Sequence, residues 1–325
     1  MNSFGRVFRI SIYGESHGPS VGVIIDGCPA GIAISISDFE QDLLRRKTGI
    51  TGTSSRKETD IPTIQSGVFN SCSTGSPILI SFNNQDTDSS DYENYQNTPR
   101  PGHADFTAMK KFNNFNDYRG GGHFSGRITI GLVAAGVIAK KIISPISIEV
   151  KLIQAEGSDD IETTVKNAKG AGDSVGSLIE CRINNVPVGL GEPFFDSVES
   201  LISHLIFSIP AVKAIEFGAG FATATMRGSQ CNDLIENSSG KTRTNNSGGI
   251  NGGISNGNEI IFRVAIKPAS SIKIPQETYN FSTKKVEELL IKGRHDSFIG
   301  VRALPVVEAA AAIALADLLL TYKNN

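Results

Sequence analysis

The sequence predicts an α+β fold, and three observations carry that expectation. Short β-branched runs closed by turn residues mark strands near the N-terminus and again between residues 147 and 266. Long apolar segments near the middle and the C-terminus mark buried helices. Strands and helices are segregated rather than alternating, and neither a domain-scale repeat nor a clean boundary divides the 325 residues. One domain over 1–325 is therefore expected, which a chain of this length permits.

The elements follow in chain order. Val21 to Gly27 reads as a strand closed by a turn at Cys28-Pro29-Ala30-Gly31. Asp38 to Arg46 reads as a helix with Ser37 as N-cap, because Glu40 follows it at the capping-box spacing. Thr48 to Ser55 is a loop by composition, and Pro77 to Phe82 is a second strand. Asn83 to Pro99 is long, polar and rich in Asp and Asn, so a loop with the length of a lid is expected. Arg127 to Ile143 has the composition of a buried helix, with Lys140 and Lys141 complementing its C-terminal end. Ser147–Ile153, Ser177–Ile183 and Glu259–Ile266 read as strands, and Ser197–Ile209 as an amphipathic helix. Asn232 to Asn258 has the composition of a linker. The near-duplicate Gly248-Gly249-Ile250 and Gly252-Gly253-Ile254 favours a structured ligand loop there. Leu304 to Leu320 barely reaches spanning length and is interrupted by Glu308 and Asp317, so a buried helix is expected and no membrane segment.

Composition narrows the function. With 39% hydrophobic and 20% charged residues this is an ordinary soluble globular chain. A net charge of -2 argues against bulk nucleic-acid binding, which needs a basic surface. Arg45, Arg46, Lys47, Arg56 and Lys57 form either a solvated face or one wall of a small-anion pocket. Cys28, Cys72, Cys181 and Cys231 lack metal or disulfide spacing, and with no apolar leader at Met1 to Arg6 they point to a cytoplasmic protein.

Chemistry concentrates in four islands: Gly14-Glu15-Ser16-His17-Gly18, Arg100-Pro101-Gly102-His103-Ala104-Asp105, Arg119-Gly120-Gly121-Gly122-His123 and Gly293-Arg294-His295-Asp296. Four of the five histidines lie in them, and His204 lies outside. Imidazole exchanges protons near neutrality. Arginine grips phosphate or carboxylate bidentately, and glycine lets backbone N–H groups approach a ligand. One dispersed active site for an anion is expected. Gly218-Ala219-Gly220 lacks the third glycine of a dinucleotide fingerprint, and no phosphate loop of the nucleotide-hydrolase type occurs. Gly14 to Gly18 has the outline of a nucleophile elbow, but no hydrolase core strand precedes it.

These islands, with Ile25 to Gly31, Tyr118 to Gly122, Gly248 to Ser255, Lys267-Pro268-Ala269-Ser270-Ser271 and Arg302-Ala303 before Pro305, resemble the chorismate synthase family in order, from about residue 4 to residue 320. The resemblance implies a helical core sandwiched between antiparallel β-sheets, and usually a homotetramer. It implies a lyase that eliminates phosphate from 5-enolpyruvylshikimate 3-phosphate to give chorismate. Reduced FMN would be obligatory without net redox change, with NADPH or an external flavin reductase as the source of electrons. By the same resemblance His17 protonates the departing phosphate, His103 serves the reduced flavin, Ser16 and Ser125 are relay serines, and Asp296 sits near flavin N5. Arg46, Arg100, Arg127 and Arg294 correspond to substrate-anion ligands. The flavin contacts would be His123, Phe124, Ser125, Pro210, Ala211, Gly252, Lys267, Pro268, Ala269, Ser270, Ser271 and Arg294. Read from the residues alone, Pro210 and Ala211 also fit a helix terminus, and Asp296 also fits a plain ion pair.

Two departures from the family pattern stand out. The family commonly has Arg-Ser-Ser-x-Arg-Glu-Thr where this chain has His123-Phe124-Ser125-Gly126-Arg127-Ile128-Thr129, and it often has an arginine near Gly52. A flavin-dependent oxidoreductase is the alternative enzyme class, but it would need a hydride-donor site and no nicotinamide fingerprint occurs. A non-catalytic anion-binding module would explain the arginines and glycines but not the histidines.

Overall fold

The computed structural model describes residues 2–47, 52, 58–87, 92–293 and 295–324. Two antiparallel sheets enclose the central helices. The first sheet uses β1 (Ser3–Phe4), β2 (Arg9–Gly14), β3 (Ser20–Asp26), β4 (Thr63–Ser66) and, after a small hairpin β5 (Val68–Phe69)–β6 (Cys72–Ser73), β7 (Ile78–Asn83), in the order β1-β2-β3-β7-β4. The second uses β8 (Ser147–Ala155), β9 (Ser177–Asn184), β10 (Val212–Phe217) and, after the hairpin β11 (Ile250–Asn251)–β12 (Ile254–Ser255), β13 (Ile260–Ile266), in the order β10-β13-β9-β8. A separate hairpin, β14 (Gln276–Asn280)–β15 (Lys285–Leu289), follows.

The helices are α1 (Glu40–Arg46), α2 (Asp105–Lys111), α3 (Ile130–Ile143), α4 (Ile161–Gly170), α5 (Val198–Ser208), α6 (Gly228–Cys231) and α7 (Gly300–Asn324). α3 lies on β2, β3 and β7, while α7 lies on β8 and β9, and the two helices pack together between the sheets. Small residues allow that approach: a Cβ at Gly136 of α3 would sit 2.4 Å from the Ala309 Cβ of α7. One continuous apolar core therefore joins both sheets. This is the α+β arrangement of a helical core between antiparallel sheets. α7 is long and apolar enough to cross a membrane, yet 83% of its apolar window is buried inside the protein, as expected for a core helix.

Charges stitch the helices where apolar packing ends. Lys140 of α3 pairs with Asp42 of α1 and with Glu308 of α7 at 2.8 Å, and Arg45 reaches Glu308 at 2.6 Å. Lys140 thus serves a buried network, and Lys141 pairs with Asp38 at 2.9 Å, rather than both simply facing the carbonyl end of α3. Asp317, buried inside α7, accepts the backbone N–H groups of Arg6, Val7 and Phe8 at 2.7–3.0 Å. That contact fixes the segment leading into β2 and the His17 loop.

The cap of the first helical segment differs from expectation. A 3-10 turn over Ile36–Phe39 precedes α1, with Ser35 at its N-cap, and the Ser35 N–H donates to Asp38 Oδ2 at 2.7 Å. Ser37 lies inside the turn. The Asn83 to Pro99 segment is not wholly irregular either, because Glu93–Gln96 forms a 3-10 turn.

Candidate active site

A cleft of about 1050 Å³ opens between the sheet-one loops, the 3-10 turns before α3 and the N-terminal end of α7. All five histidines line it, including His204, which stands outside every sequence island.

The glycine run beside His123 explains how the first two histidines meet. Gly120, Gly121 and Gly122 have φ of 58°, 82° and 54°, a conformation that costs an L side chain energy. A Cβ on Gly120 would lie 2.0 Å from His17 Nδ1, and one on Gly121 would lie 3.4 Å from His103 Cε1. His17 and His103 thus rest on consecutive glycines of one loop, although 86 positions separate them in sequence (103 minus 17). Ser16 is buried, and its N–H donates to Gly122 O at 3.1 Å. His123 Nδ1 donates to Gly14 O at 2.7 Å, which fixes its tautomer and ties the glycine loop to the end of β2. Ser125 begins the next turn, with its Oγ accepting from Arg127 N at 3.3 Å.

His103 has a carboxylate partner, Asp105 Oδ1, at 2.6 Å. Burial raises the Asp105 pKa, but hydrogen bonds from Arg100 and His103 outweigh it and hold the carboxyl well below its usual range. A carboxyl depressed on folding contributes stability that is present above its unfolded pKa of about 3.9 and is lost as pH falls through the folded value. Arg100 donates from N and Nε to Asp105 Oδ2 and from Nη2 to Oδ1, while Nη1 reaches Ser271 Oγ at 3.3 Å. Its guanidinium organises His103 and Asp105, and Arg100 also lines the cleft.

The cationic floor is built elsewhere. Arg46 donates to the carbonyls of Gly126 and Arg127 at 2.8 and 3.2 Å. Burial, then the Arg302 charge, push it down to about 9, so it stays protonated at neutral pH. Arg127 pairs with Asp60 and donates from Nε to Asn84 Oδ1 at 3.0 Å. Asn84 in turn donates to Glu15 O and Gly18 O, binding this floor to the His17 loop. Arg302 Nη1 holds Asp296 Oδ2 at 2.7 Å, and Arg302 Nε donates to Arg46 O. Three guanidiniums thus face two carboxylates, and the buried Arg127 Nη2 has no hydrogen-bond partner among the described residues. Asp60→Asn is expected to lower stability by roughly 3 kcal/mol, because it leaves buried positive charge uncompensated. Thermal unfolding followed by calorimetry checks this, and an unchanged Tm would make the pair energetically idle.

The remaining expected residues divide clearly. Phe124, Pro210, Ala211, Lys267, Pro268, Ala269, Ser270 and Ser271 line the cleft. Lys267 Nζ donates to Ser270 Oγ at 2.6 Å and to Gly102 O at 3.1 Å, wrapping this loop around the His103 island. Burial, then the neighbouring Lys213 charge, lower the Lys267 pKa. Ala211 holds φ of 71° so that its carbonyl meets Lys267 N at 2.9 Å. Gly252 turns the β11–β12 hairpin and is not among the residues of this chain that line the cleft. The long Asn232 to Asn258 segment is nevertheless structured, with Asp233 accepting from Thr244, Asn246 and Ser247. Arg119 turns to Asp117 at 2.8–2.9 Å and does not line the cleft. Arg294 and Arg56-Lys57 lie outside the described residues. At Gly52, φ is 90° and a Cβ would lie 2.8 Å from both Phe298 and Val165, so an arginine has no room there.

Sequence reading missed Asp60 as a counter-charge of the floor and Arg302 as its third guanidinium, and missed His204 and Tyr92 as lining residues. His295 Nε2 donates to Lys292 O at 2.9 Å, while burial keeps its pKa below the usual range.

A helical core between antiparallel sheets, with five histidines and several buried arginines gathered in one cleft, has the make-up of an enzyme for a small anionic substrate. The comparisons make this particular. The family model described as chorismate synthase matches residues 8–320. A chorismate synthase of Chitinophaga pinensis is 58% identical over 326 residues, covering 100% of this chain and 98% of the relative. One from Dehalococcoides mccartyi is 46% identical, covering 98% and 96%. A crystal structure of chorismate synthase superposes with a TM-score of 0.76 at 27% identity, covering 98% of this chain and 93% of that one. The chain belongs to the chorismate synthase family. It is a lyase of the shikimate pathway, eliminating phosphate from 5-enolpyruvylshikimate 3-phosphate to form chorismate.

Proposed function

We propose that the cleft binds reduced FMN beside the enolpyruvyl substrate, with His17 and His103 as its acid–base pair. The observation that carries this reading is the seating of both imidazoles on consecutive glycines in a cleft floored by three arginines and two carboxylates. The cleft exceeds the roughly 300–1,000 Å³ of an ordinary ligand pocket, which suits two ligands. Its residues also fit a flavin phosphate and ring: Lys267, Ser270 and Ser271 offer donors on one wall, and Phe124, Pro210 and Ala211 offer apolar surface. Reduced FMN, when bound, supplies electron density that helps expel phosphate without net redox change.

The protein's own residues do the rest. Arg46 and Arg127 hold the substrate anions, with the unpartnered Arg127 Nη2 offering a charge-assisted donor. His17 donates a proton to the departing phosphate, and Ser16, buried beside it, relays that proton. His103, fixed by Asp105, holds the proton next to the flavin, with Ser125 at its side. His123 keeps the glycine loop closed through Gly14 O. Arg294 completes the anion wall by resemblance alone. NADPH is no part of this reading; the flavin arrives already reduced, from a separate reductase or a chemical donor. The chain acts as one domain over 1–325 in a homotetramer in the cytoplasm. Free thiols at all four cysteines and the exposed Phe194 and Phe195 suit a reducing compartment and a subunit contact, respectively.

Anaerobic turnover of the enolpyruvyl substrate with chemically reduced FMN tests the reading through chorismate absorbance and the flavin spectrum together. Chorismate should accumulate while the flavin stays reduced; stoichiometric flavin oxidation would instead make the protein an oxidoreductase. Asp296→Asn is expected to bind both ligands nearly normally yet turn over at least about tenfold more slowly, as for an interaction made mainly in the transition state. Since Arg302 pairs with Asp296, unchanged turnover with a lowered Tm would reduce Asp296 to an ion-pair partner.

A further inference from the structure

The segment just before the His103 island, polar and featureless in sequence, places one buried tyrosine where three islands meet. Tyr95 is 6% exposed. The Arg100 guanidinium lies over its ring, 4.7 Å from the centroid. Arg100 in turn grips Asp105, which holds His103. The Tyr95 ring also meets Tyr92 edge-on at 6.0 Å, and Tyr92 meets His17 edge-on at 5.2 Å. At its far end, Tyr95 Oη donates to Lys292 O at 3.3 Å, the same carbonyl that accepts His295 Nε2 at 2.9 Å. The loop that carries Asp296 is therefore anchored to the same side chain.

We infer that Tyr95 is a positioning residue, which sets His17 and His103 relative to one another through its aromatic face. A cation held over a ring gains most when desolvated, as Arg100 is here. Edge-to-face pairs fix ring orientation as well as distance. Without the ring, Arg100 has lost one face of its site and the His103–Asp105 pair loosens, while Tyr92 loses the surface that sets its tilt towards His17. Small misplacements of reacting groups cost large factors in rate without weakening ligand binding. This inference rests on the reading of His17 and His103 as the acid–base pair.

The test compares Tyr95→Leu, which removes the aromatic face, with Tyr95→Phe, which keeps it and loses only the hydroxyl. Under saturating reduced FMN, Tyr95→Leu is expected to lower kcat by about tenfold or more with KM changed by less than about threefold, the split expected when positioning rather than binding is lost. Tyr95→Phe should stay within about threefold of wild-type kcat. A purely structural tyrosine would lower Tm in Tyr95→Leu and leave kcat intact below the melting range, which overturns the inference. Equal kcat losses in both variants would also overturn it, by assigning the effect to the hydroxyl. Should Tyr95→Leu not fold, the half-buried Tyr92→Leu carries the test, since it cuts the link from Tyr95 to His17. Its kcat should fall by at least about threefold at unchanged KM, and an unchanged kcat overturns the inference. His103→Ala measured alongside separates the two ideas. If that variant is fully active, the acid–base reading fails. If it is impaired, adding Tyr95→Leu should cost clearly less than the product of the two separate losses, because part of the Tyr95 effect runs through His103; fully multiplying losses overturn the inference.

Discussion

His17→Ala and His103→Ala are each expected to lower kcat by about 100- to 10,000-fold, the usual contribution of a positioned acid–base group, while leaving the fold intact. Neither ring belongs to the apolar core. His17 lies between Tyr92 and the backbone of Gly120, and the His103 side chain is 23% exposed. Truncation therefore removes a proton carrier without opening a core cavity. Chorismate formation under anaerobic conditions with reduced FMN supplied measures the loss, and circular dichroism checks the fold. Near wild-type turnover in either variant removes that histidine from the chemistry. The two losses should differ in one respect: His103 works with Asp105, so Asp105→Asn should reproduce much of the His103→Ala defect and little of the His17→Ala one.

The parts of the fold that sequence reveals are those with a strong period or an unbroken apolar run. β3, β7, β9, β13 and α5 fall within about two residues of their expected bounds, and α3 begins three residues late because a 3-10 turn takes up Gly126–Thr129. The first helical cap was read at the wrong serine, Ser37. Ser37 with Glu40 has the capping-box spacing, but a 3-10 turn over Ile36–Phe39 places Ser35 at the N-cap and Ser37 inside the turn. The histidine islands were legible because His flanked by Gly, Arg and Asp is a rare combination, and their convergence followed from the glycine run. What could not be read was the pairing of charges across long distances. Asp60 is 67 positions from Arg127, with nothing local to join them. The residue type of Arg100 pointed to an anion ligand, but its pairing with an acid five positions later was not read. Tyr95 was hidden by its neighbours, because a polar stretch rich in Asp and Asn gives no sign of a buried ring. The glycine pair at Gly252, read from sequence as part of a ligand loop, forms the turn of a short hairpin.

Gly120→Ala is expected to approach the His17→Ala loss, a fall in kcat of roughly 100-fold or more. No side chain other than hydrogen suits this position. Its φ of 58° is left-handed, and its Cβ would lie 2.0 Å from His17 Nδ1 and 2.8 Å from Ser16 Oγ. Left-handed backbone costs alanine about 1–2 kcal/mol, a tolerable loss for a loop outside the core. The clash is worse, because Ser16 is buried and tied to Gly122 O, so the imidazole is the group that gives way. Gly121→Ala is the control: its Cβ meets His103 Cε1 at 3.4 Å, an ordinary contact, so the smaller loss is expected there despite the same left-handed backbone. A double variant decides how Gly120 acts. If its sole effect is to seat His17, then Gly120→Ala combined with His17→Ala is no slower than His17→Ala alone, since a group already removed cannot be displaced. Multiplying losses would mean that Gly120 also holds Ser16 or the loop that reaches His103, and the seat would belong to the whole glycine run rather than to one imidazole.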